Sequence, residues 1–365
     1  MFLSNYRPVV GVFSLFVLLI SGCGGGGGGG GGNGGGGNGG GAPAAWLIPP
    51  EQVFDGGPGI DGIPALQSPQ FEAAATISTV RDSDLVLVVR SNGQVKAYPH
   101  DIMDYHEIVN DGPATAPFTM SYCPLTGSAM AWHGSTVDTN PTYGVSGLLF
   151  NSNLLLYDRA TNSLWSQMLQ VSVTGNRIGD RPQQFGVLEM PYETLEAMYP
   201  DALVMSRLTG HIRDYDDYPY GSYRTNTALL FPINNQDNRR HPKERVIGIH
   251  DATNAKVYQL SEFGDETLAI NDQFGNQSIV VVGNSAMGIS AIYDRELADG
   301  TILSFDAIQD DLPNILLDSE GNVWDIFGTA VSGVRAGAQL QPTQSYVAMW
   351  FAWAAHFTEV QLHFN

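Results

Sequence analysis

The sequence predicts a mainly β fold with a few helices, an α+β protein that is internally duplicated into two related lobes. Runs of β-branched residues bounded by turn residues recur along the chain, as in residues 86–90 and 278–282. The chain also matches itself at a spacing of about 160 residues. We therefore expect two similar, strand-rich lobes that share one interface.

Short segments of the first copy are matched in the same order in the second copy. The matches are residues 86–98 with 246–258, 108–111 with 269–272, 128–130 with 285–287, and 157–165 with 317–324. Because the order is kept with only small gaps, we interpret the matches as a duplication. The predicted boundaries are 43–235 for the first repeat unit and 236–365 for the second, degenerate unit.

Few helices are predicted between the strands. Helical patterns cover residues 72–78, 101–109, 192–198 and 346–356. The last of these contains Trp350, Phe351 and Trp353, which indicate a buried terminal helix. Residues 301–305 are rich in β-branched side chains and are predicted to form a strand.

The N-terminus has the pattern of a lipoprotein signal peptide. Arg7 precedes an apolar run at residues 9–20, which is short for a membrane-spanning helix, and small residues precede Cys23. We predict that residues 1–22 are removed and that Cys23 is lipidated. Residues 23–42 then form the lipidated cysteine and a flexible, glycine-rich tether.

The net charge of the chain disfavours some classes of binding partner. With 37 acidic and 17 basic residues, the net charge is −20, which argues against binding to nucleic acid or to anionic lipid headgroups. The predicted membrane contact is therefore the lipid on Cys23. We expect an exported domain at the periplasmic face or the cell surface, and Gly24 after the lipidated cysteine favours the outer membrane over the inner one.

The two copies differ around one cysteine. With Cys23 committed to lipid, Cys123 is the remaining thiol, so no intramolecular disulfide can form. The first copy alone has His106 and Glu107 before the shared Asn-Asp pair. It alone has the sequence Tyr-Cys-Pro-Leu-Thr-Gly at residues 122–127, where the second has a shorter Gly-Asn at 283–284. We therefore place the candidate site in the first copy.

One hypothesis for this site is a cysteine nucleophile. A thiol reacts as thiolate, and a neighbouring histidine lowers its pKa and accepts its proton. His106 is the candidate base for Cys123, with Glu107, Asp111 or Asp158 as the group that orients it. The protein would then be a Cys/His-dependent enzyme.

Two other hypotheses compete with the nucleophile. Cys123 and His106, together with His133 or Met130, could bind copper, because thiolate, imidazole and thioether suit a soft metal. Alternatively, Cys123 is a buried core residue and the domain binds a small ligand or a protein partner. The third hypothesis is favoured, because unpaired cysteines are among the most often buried residues.

A second candidate feature is the acidic, tyrosine-rich stretch at residues 213–223. Asp214, Asp216 and Asp217, with backbone carbonyls, could hold calcium, a hard cation that prefers oxygen ligands. Their spacing excludes an EF-hand. The same stretch is also typical of a carbohydrate-contacting surface or of a packed irregular loop, and the three interpretations stay open.

The first-copy motifs carry a family resemblance. The chain resembles the domain of unknown function 3179 family from about Ile63 to the C-terminus, in residues 106–111, 121–129, 144–149, 156–159, 163–167, 213–215, 218–223 and 351–355. The resemblance implies an exported protein and supplies no activity. Many members carry a second cysteine where this chain has Thr126, so a dithiol redox pair is not expected here.

Overall fold

The computed structural model describes residues 45–134 and 142–364. The predicted signal peptide, Cys23 and the glycine-rich tether lie outside the described residues. The described residues form a single unit by their contacts.

Strands dominate the described residues. In chain order they are β1 (Val53–Asp55), β2 (Leu66–Gln67), β3 (Phe71–Ala73), β4 (Leu85–Ser91), β5 (Gln94–Pro99), β6 (Ile108–Asp111), β7 (Phe118–Cys123), β8 (Ser128–His133), β9 (Tyr143–Phe150), β10 (Asn153–Asp158), β11 (Leu164–Ser166), β12 (Val171–Thr174), β13 (Gln184–Phe185), β14 (Leu188–Pro191), β15 (Leu203–Met205), β16 (Arg245–His250), β17 (Asn254–Gln259), β18 (Leu268–Phe274), β19 (Gln277–Asn284), β20 (Ile289–Asp294), β21 (Phe305–Ala307), β22 (Asn314–Asp318), β23 (Val323–Asp325), β24 (Ser345–Met349) and β25 (Glu359–Leu362).

The helices are short. They are α1 (His100–His106), α2 (Tyr192–Met198) and α3 (Trp350–His356), with single 3-10 turns at Pro50–Gln52, Ala74–Thr76 and Leu260–Glu262. The predicted fold class, mainly β with a few helices, is therefore confirmed.

The strands pair in separate sheets. The sheet orders are β1-β9-β10-β11-β12, β13-β8-β7-β6-β2, β14-β4-β5-β15-β3, β24-β16-β17-β25, β18-β19-β20 and β21-β22-β23. Most neighbours are antiparallel, and tight turns join them. At the β4–β5 turn, Asn92 and Gly93 both have positive φ, at 51° and 76°, as a two-residue hairpin turn requires.

Two stretches of the chain have the same connectivity. We call residues 85–205 the first half and residues 245–362 the second half. In each half, a hairpin (β4–β5 or β16–β17) gains an antiparallel strand (β14 or β24), and a seven-residue helix follows. A parallel strand (β15 or β25) then pairs with the second strand of the hairpin. That this correspondence arose by duplication stays a prediction.

Two of the hydrophobic cores extend across the predicted repeat boundary. One core joins Val86 and Val88 of β4 to Val280 of β19 and to Trp324 of β23. Another core joins Trp132 and Trp165 to α3 and to Val246. These two cores draw side chains from both halves, whereas the other cores each lie within one predicted unit. The predicted unit boundaries stay a prediction.

Several local predictions need correction. Residues 72–78 contain part of β3 and one 3-10 turn, because β3 pairs with β15. The predicted helix at 101–109 ends at His106, and the one at 346–356 begins at Trp350, since strands occupy the other residues. Within 301–305 only Phe305 lies in a strand. The helix at Tyr192–Met198 and the burial of the terminal helix are confirmed.

The turns after β7 and β19 also correct the sequence comparison. The pairs Cys123–Ser128 and Asn284–Ile289 close the two hairpins, and each turn spans four residues. The second turn is therefore not shorter, and residues 285–287 match 124–126 and not 128–130. Gly127 and Gly288, the last residue of each turn, have φ of 58° and 63°.

No helix in the described residues is long and apolar enough to span a membrane.

Candidate functional site

Cys123 lies in the core. Its side chain is 1% exposed and packs with Ile108, Leu125 and Met130. Burial, with the nearby Glu107 carboxylate, raises the pKa of the thiol to about 11. The sulfur lies 3.9 Å from the carbonyl oxygen of Ser152, and hydrogen bonds with Thr126 and the Leu154 backbone oppose the rise in pKa without cancelling it. This is the environment of an inert, structural cysteine.

His106 is not positioned to act as a base for Cys123. Its Nδ1 lies 2.8 Å from the carbonyl oxygen of Pro64, and its Nε2 lies 2.7 Å from the hydroxyl of Tyr215. Both ring nitrogens are therefore engaged elsewhere, and burial lowers the pKa of His106 to about 4. The expected Cys123–His106 pair is not formed, because the two side chains have different partners.

Glu107 ends α1 in an unusual backbone conformation. Its φ is 57°, a left-handed value that is uncommon for residues other than glycine, and the residue is 6% exposed. Burial and the nearby Asp104 raise the pKa of its carboxyl group to about 8. Glu107 is therefore a buried carboxyl group that is largely protonated at neutral pH, and it is not a partner of His106.

Asp158 and Asp111 belong to the scaffold. Asp158 accepts hydrogen bonds from the Trp165 indole at 2.9 Å and from the backbone N–H of Thr161 at 2.6 Å. Asp111 accepts hydrogen bonds from Lys96 at 2.7 Å and Tyr98 at 2.6 Å. Neither carboxylate orients His106.

The copper and calcium hypotheses gain no geometric support. Met130 is buried beside Cys123, but His133 lies at the exposed end of β8. In the tyrosine-rich stretch, Asp216 pairs with Arg207 at 2.9 Å, and one Asp214 oxygen accepts the backbone N–H of Asp216 at 3.2 Å. Across residues 45–134 and 142–364, no group of three or more His, Cys, Asp or Glu side chains is arranged to hold a metal ion.

The structure instead forms a polar cleft above α1 that was not predicted. This α1 cleft has a volume of about 300 Å³. Its walls come from the loop before β4, from α1 and from residues 215–224. They comprise Arg81, Ser83, Asp84, Leu85, His100, Asp101, Asp104, Tyr215, Asp216, Asp217, Tyr218 and Arg224.

A buried ion pair lies in this cleft. Nη2 of Arg224 donates to both oxygens of Asp104, at 2.6 and 2.8 Å, and the guanidinium lies 4.0 Å from the ring centre of Tyr218. Asp104 is 4% exposed, and burial raises its pKa to about 7 although Arg224 opposes the rise. This carboxyl group therefore changes charge near neutral pH.

A second ionic contact adjoins the first. Nε2 of His100 lies 3.2 Å from Glu189, whose two oxygens accept 2.8 Å hydrogen bonds from Arg245. Burial opposes ionisation of Glu189, but Arg245 and His100 outweigh it and lower its pKa to about 2. Burial lowers the pKa of His100 itself. His100, which lines the cleft, thus favours its neutral form and contacts the ionised carboxylate of Glu189, which does not line it.

Tyr218 supplies an unpaired polar group. Its hydroxyl is buried and has no hydrogen-bond partner among the described residues. Buried hydroxyl groups are normally paired, and the charged group beside this one is the Arg224 guanidinium, which opposes the rise in the pKa of Tyr218. Burial raises the pKa of Tyr218 to about 12, so the hydroxyl stays protonated and can donate.

Sequence reasoning found part of this cleft. The tyrosine-rich stretch was singled out, and its Tyr215, Asp216, Asp217 and Tyr218 do line the cavity. The Arg224–Asp104 pair was missed, because its members are 120 residues apart in the chain. No local spacing connects such residues.

Comparisons with known proteins agree with the resemblance described above. No curated protein and no solved structure matches the chain. Residues 60–360 match the model of the family described as Protein of unknown function (DUF3179), so the chain belongs to this family.

Proposed function

We propose that this protein is an exported, lipid-anchored binding protein that holds a small polar ligand in the α1 cleft. The observation that carries the proposal is the polar floor of the cleft, where the buried Asp104 accepts hydrogen bonds from Arg224 and the buried His100 contacts Glu189. Burying ions is costly unless they are paired, so such networks are commonly kept for binding or chemistry and not for stability.

The second half lacks the polar residues of the cleft at the equivalent positions, which supports a ligand site in the first half. From the strand registers, Leu260 occupies the position of His100, and Val347 that of Glu189. Apolar residues therefore replace the charges where the same scaffold recurs. We infer that a duplicated unit kept its scaffold in both copies and its ligand site in the first copy alone.

The charges of the cleft favour one class of ligand. Five of its lining residues are aspartates, and the arginines that neutralise them are Arg81, Arg224 and the adjacent Arg207. The surplus of carboxylates disfavours an anion. We therefore expect a neutral or cationic ligand with hydroxyl or amino groups, which can donate hydrogen bonds to the aspartates.

The Cys/His enzyme and the copper site are not proposed. Both need Cys123 and His106 together, and the contacts of these residues lie elsewhere.

Lipid anchoring is tested by labelling cells with an alkyne fatty acid. The wild-type chain is expected to carry the label and to sediment with membranes, whereas Cys23→Ala is expected to lose both properties. Cys123→Ala is the matched control and should stay labelled. Label on Cys23→Ala, or none on the wild type, would contradict the anchor.

Ligand binding is tested by thermal shift with three probe groups: amines, amino sugars and dicarboxylates. Binding to the folded state raises Tm with ligand concentration. We expect a response to members of the first two groups and none to dicarboxylates.

The variant pair Asp104→Asn with Arg224→Gln removes both charges together and leaves neither ion unpaired. It should abolish the response, and Arg213→Gln, on the exposed loop nearby, should not. Equal responses from both variants would place the ligand elsewhere.

A further inference from the structure

A second cleft lies where the two halves meet. This junction cleft has a volume of about 350 Å³, within the range of small-molecule sites. Its walls come from the segments that lead into β14 and β24 and from the strands behind them. They are Arg90, His133, Gln183, Gln184, Phe185, Gly186, Val187, Leu188, Ile247, Ala291, Ile292, Tyr293, Phe327, Gln339, Leu340, Gln341, Pro342, Thr343, Ser345, Tyr346 and Val347.

The two halves contribute equivalent segments to the junction cleft. The carbonyl oxygen of Gln183 accepts the N–H of His133, the last residue of β8, at 2.7 Å. The carbonyl oxygen of Gln341 accepts the N–H of Asp294, the last residue of β20, at 3.0 Å. Each half therefore fixes one glutamine backbone at the same place, and both side chains are exposed.

The junction cleft carries little free charge. Among the residues that the structure describes, no aspartate or glutamate lines it, in a chain with a net charge of −20. The guanidinium of Arg90 is already committed, 2.7 Å from Asp325 and 4.2 Å from the ring centre of Phe327. Burial lowers the pKa of His133, so this ring is neutral at pH 7. Neither a cation nor an anion finds an uncompensated partner here.

Aromatic rings and amides are the remaining groups. The hydroxyl groups of Tyr293 and Tyr346 donate hydrogen bonds to the carbonyl oxygens of Ile326 and Met168, at 2.5 and 2.9 Å. Their rings, with those of Phe185 and Phe327, supply apolar surface. The amides of Gln183, Gln184 and Gln341 supply donors and acceptors together.

We propose that the junction cleft binds a neutral, hydroxyl-rich ligand of saccharide type. Hydroxyl groups both donate and accept, which matches side-chain amides, and the C–H faces of a sugar ring pack on aromatic rings. This site is separate from the α1 cleft, because the two share no lining residue.

The proposal is tested by NMR on protein whose glutamine side chains are labelled with 15N. The probes are maltose, cellobiose and lactose. At least one is expected to shift the Gln183 and Gln341 amide signals in a saturable manner, with a Kd on the order of 1 mM. Signals are assigned with Gln183→Leu and Gln341→Leu, each of which should weaken binding about fivefold by removing one neutral hydrogen bond.

The controls separate this site from the proposed function. Gln361→Leu, on the exposed face of β25, should bind as the wild type does. The pair Asp104→Asn with Arg224→Gln should also leave the Gln183 and Gln341 shifts unchanged. Because both glutamines are exposed, their variants should keep the wild-type Tm. Absence of saturable shifts with all three sugars, or equal shifts with glucuronate, would overturn the proposal.

Discussion

The two halves share a scaffold and differ in what it carries. Tyr98 donates to Asp111 at 2.6 Å in the first half, and Tyr258 donates to Asp272 at 2.7 Å in the second. The indole of Trp165 donates to Asp158 at 2.9 Å, and that of Trp324 donates to Asp318 at 2.8 Å. These matched contacts fix the positions of the strands and turns and do not build the cleft.

The difference begins where the first hairpin of each half ends. After β5 the chain forms α1, which carries His100 and Asp104, whereas after β17 it forms a single 3-10 turn, Leu260–Glu262. The longer segment places buried titratable groups under the connecting residues 206–244. A comparison within one chain thus separates scaffold from candidate site.

Separating the halves should have the largest effect. Expressed alone, residues 43–235 and 236–365 are expected not to unfold cooperatively, because two of the cores join side chains from both segments. Denaturant unfolding followed by circular dichroism measures this, with the intact domain as control. A half with a sharp transition of its own would show that the cores are independent.

The slow labelling of the Cys123 thiol should be the next largest effect. In a Cys23→Ser background, its labelling by iodoacetamide at neutral pH should be at least about 100-fold slower than that of Ser319→Cys, because burial leaves little thiolate. Labelling should accelerate only on denaturation. Rapid labelling of the folded protein would restore the nucleophile hypothesis.

Substitution of Glu107 should stabilise the protein, whereas substitution of most buried residues destabilises it. The second half has Leu268 at its position, and the folded state raises the pKa of Glu107 from 4.5 to about 8. Between these values the folded protein holds a proton that the unfolded chain has lost, so the stability from this group falls as pH rises. Glu107→Gln should therefore raise the free energy of unfolding by about 1–3 kcal/mol near pH 9.

The pH dependence distinguishes the protonation of Glu107 from a change in stability that is independent of pH. The gain from Glu107→Gln should shrink with falling pH and vanish below about pH 4, where the wild-type group is protonated in the folded state and largely so in the unfolded chain. Glu193→Gln, exposed on α2, is the control and should give a flat difference. Destabilisation by Glu107→Gln at every pH would show that the ionised carboxylate is stabilising.

The sequence allowed most of the scaffold to be predicted. Turn residues such as Asn92 and Gly93 and the matched Asn-Asp pairs depend on local chemistry, which a sequence displays directly. The start of α3 was misplaced because Tyr346 and Trp350, both buried, fit a helix or a strand equally well. Only the pairing of β24 with β16 separates the two.

The candidate site was less accessible to prediction. Its ion pairs join α1 to Arg224 and β14 to Arg245, residues that the fold alone brings together. Cys123 attracted attention as the lone thiol, although its neighbours are mainly apolar. A difference between copies marks where to look, but burial and partners decide which of the differing residues face a ligand.

The smallest expected difference is between the two tyrosine–aspartate pairs. Tyr98→Phe and Tyr258→Phe each remove one hydrogen bond, while Lys96 and Lys256 continue to hold the aspartates at 2.7 and 2.6 Å. Each change should cost about 1 kcal/mol, and the two costs should agree within about 0.5 kcal/mol and add in the double variant, because the pairs share no residue. Denaturant unfolding measures all three variants. A cost several-fold larger in the first half would mean that Asp111 also supports the α1 cleft, and that the scaffold and the site are not separable at this position.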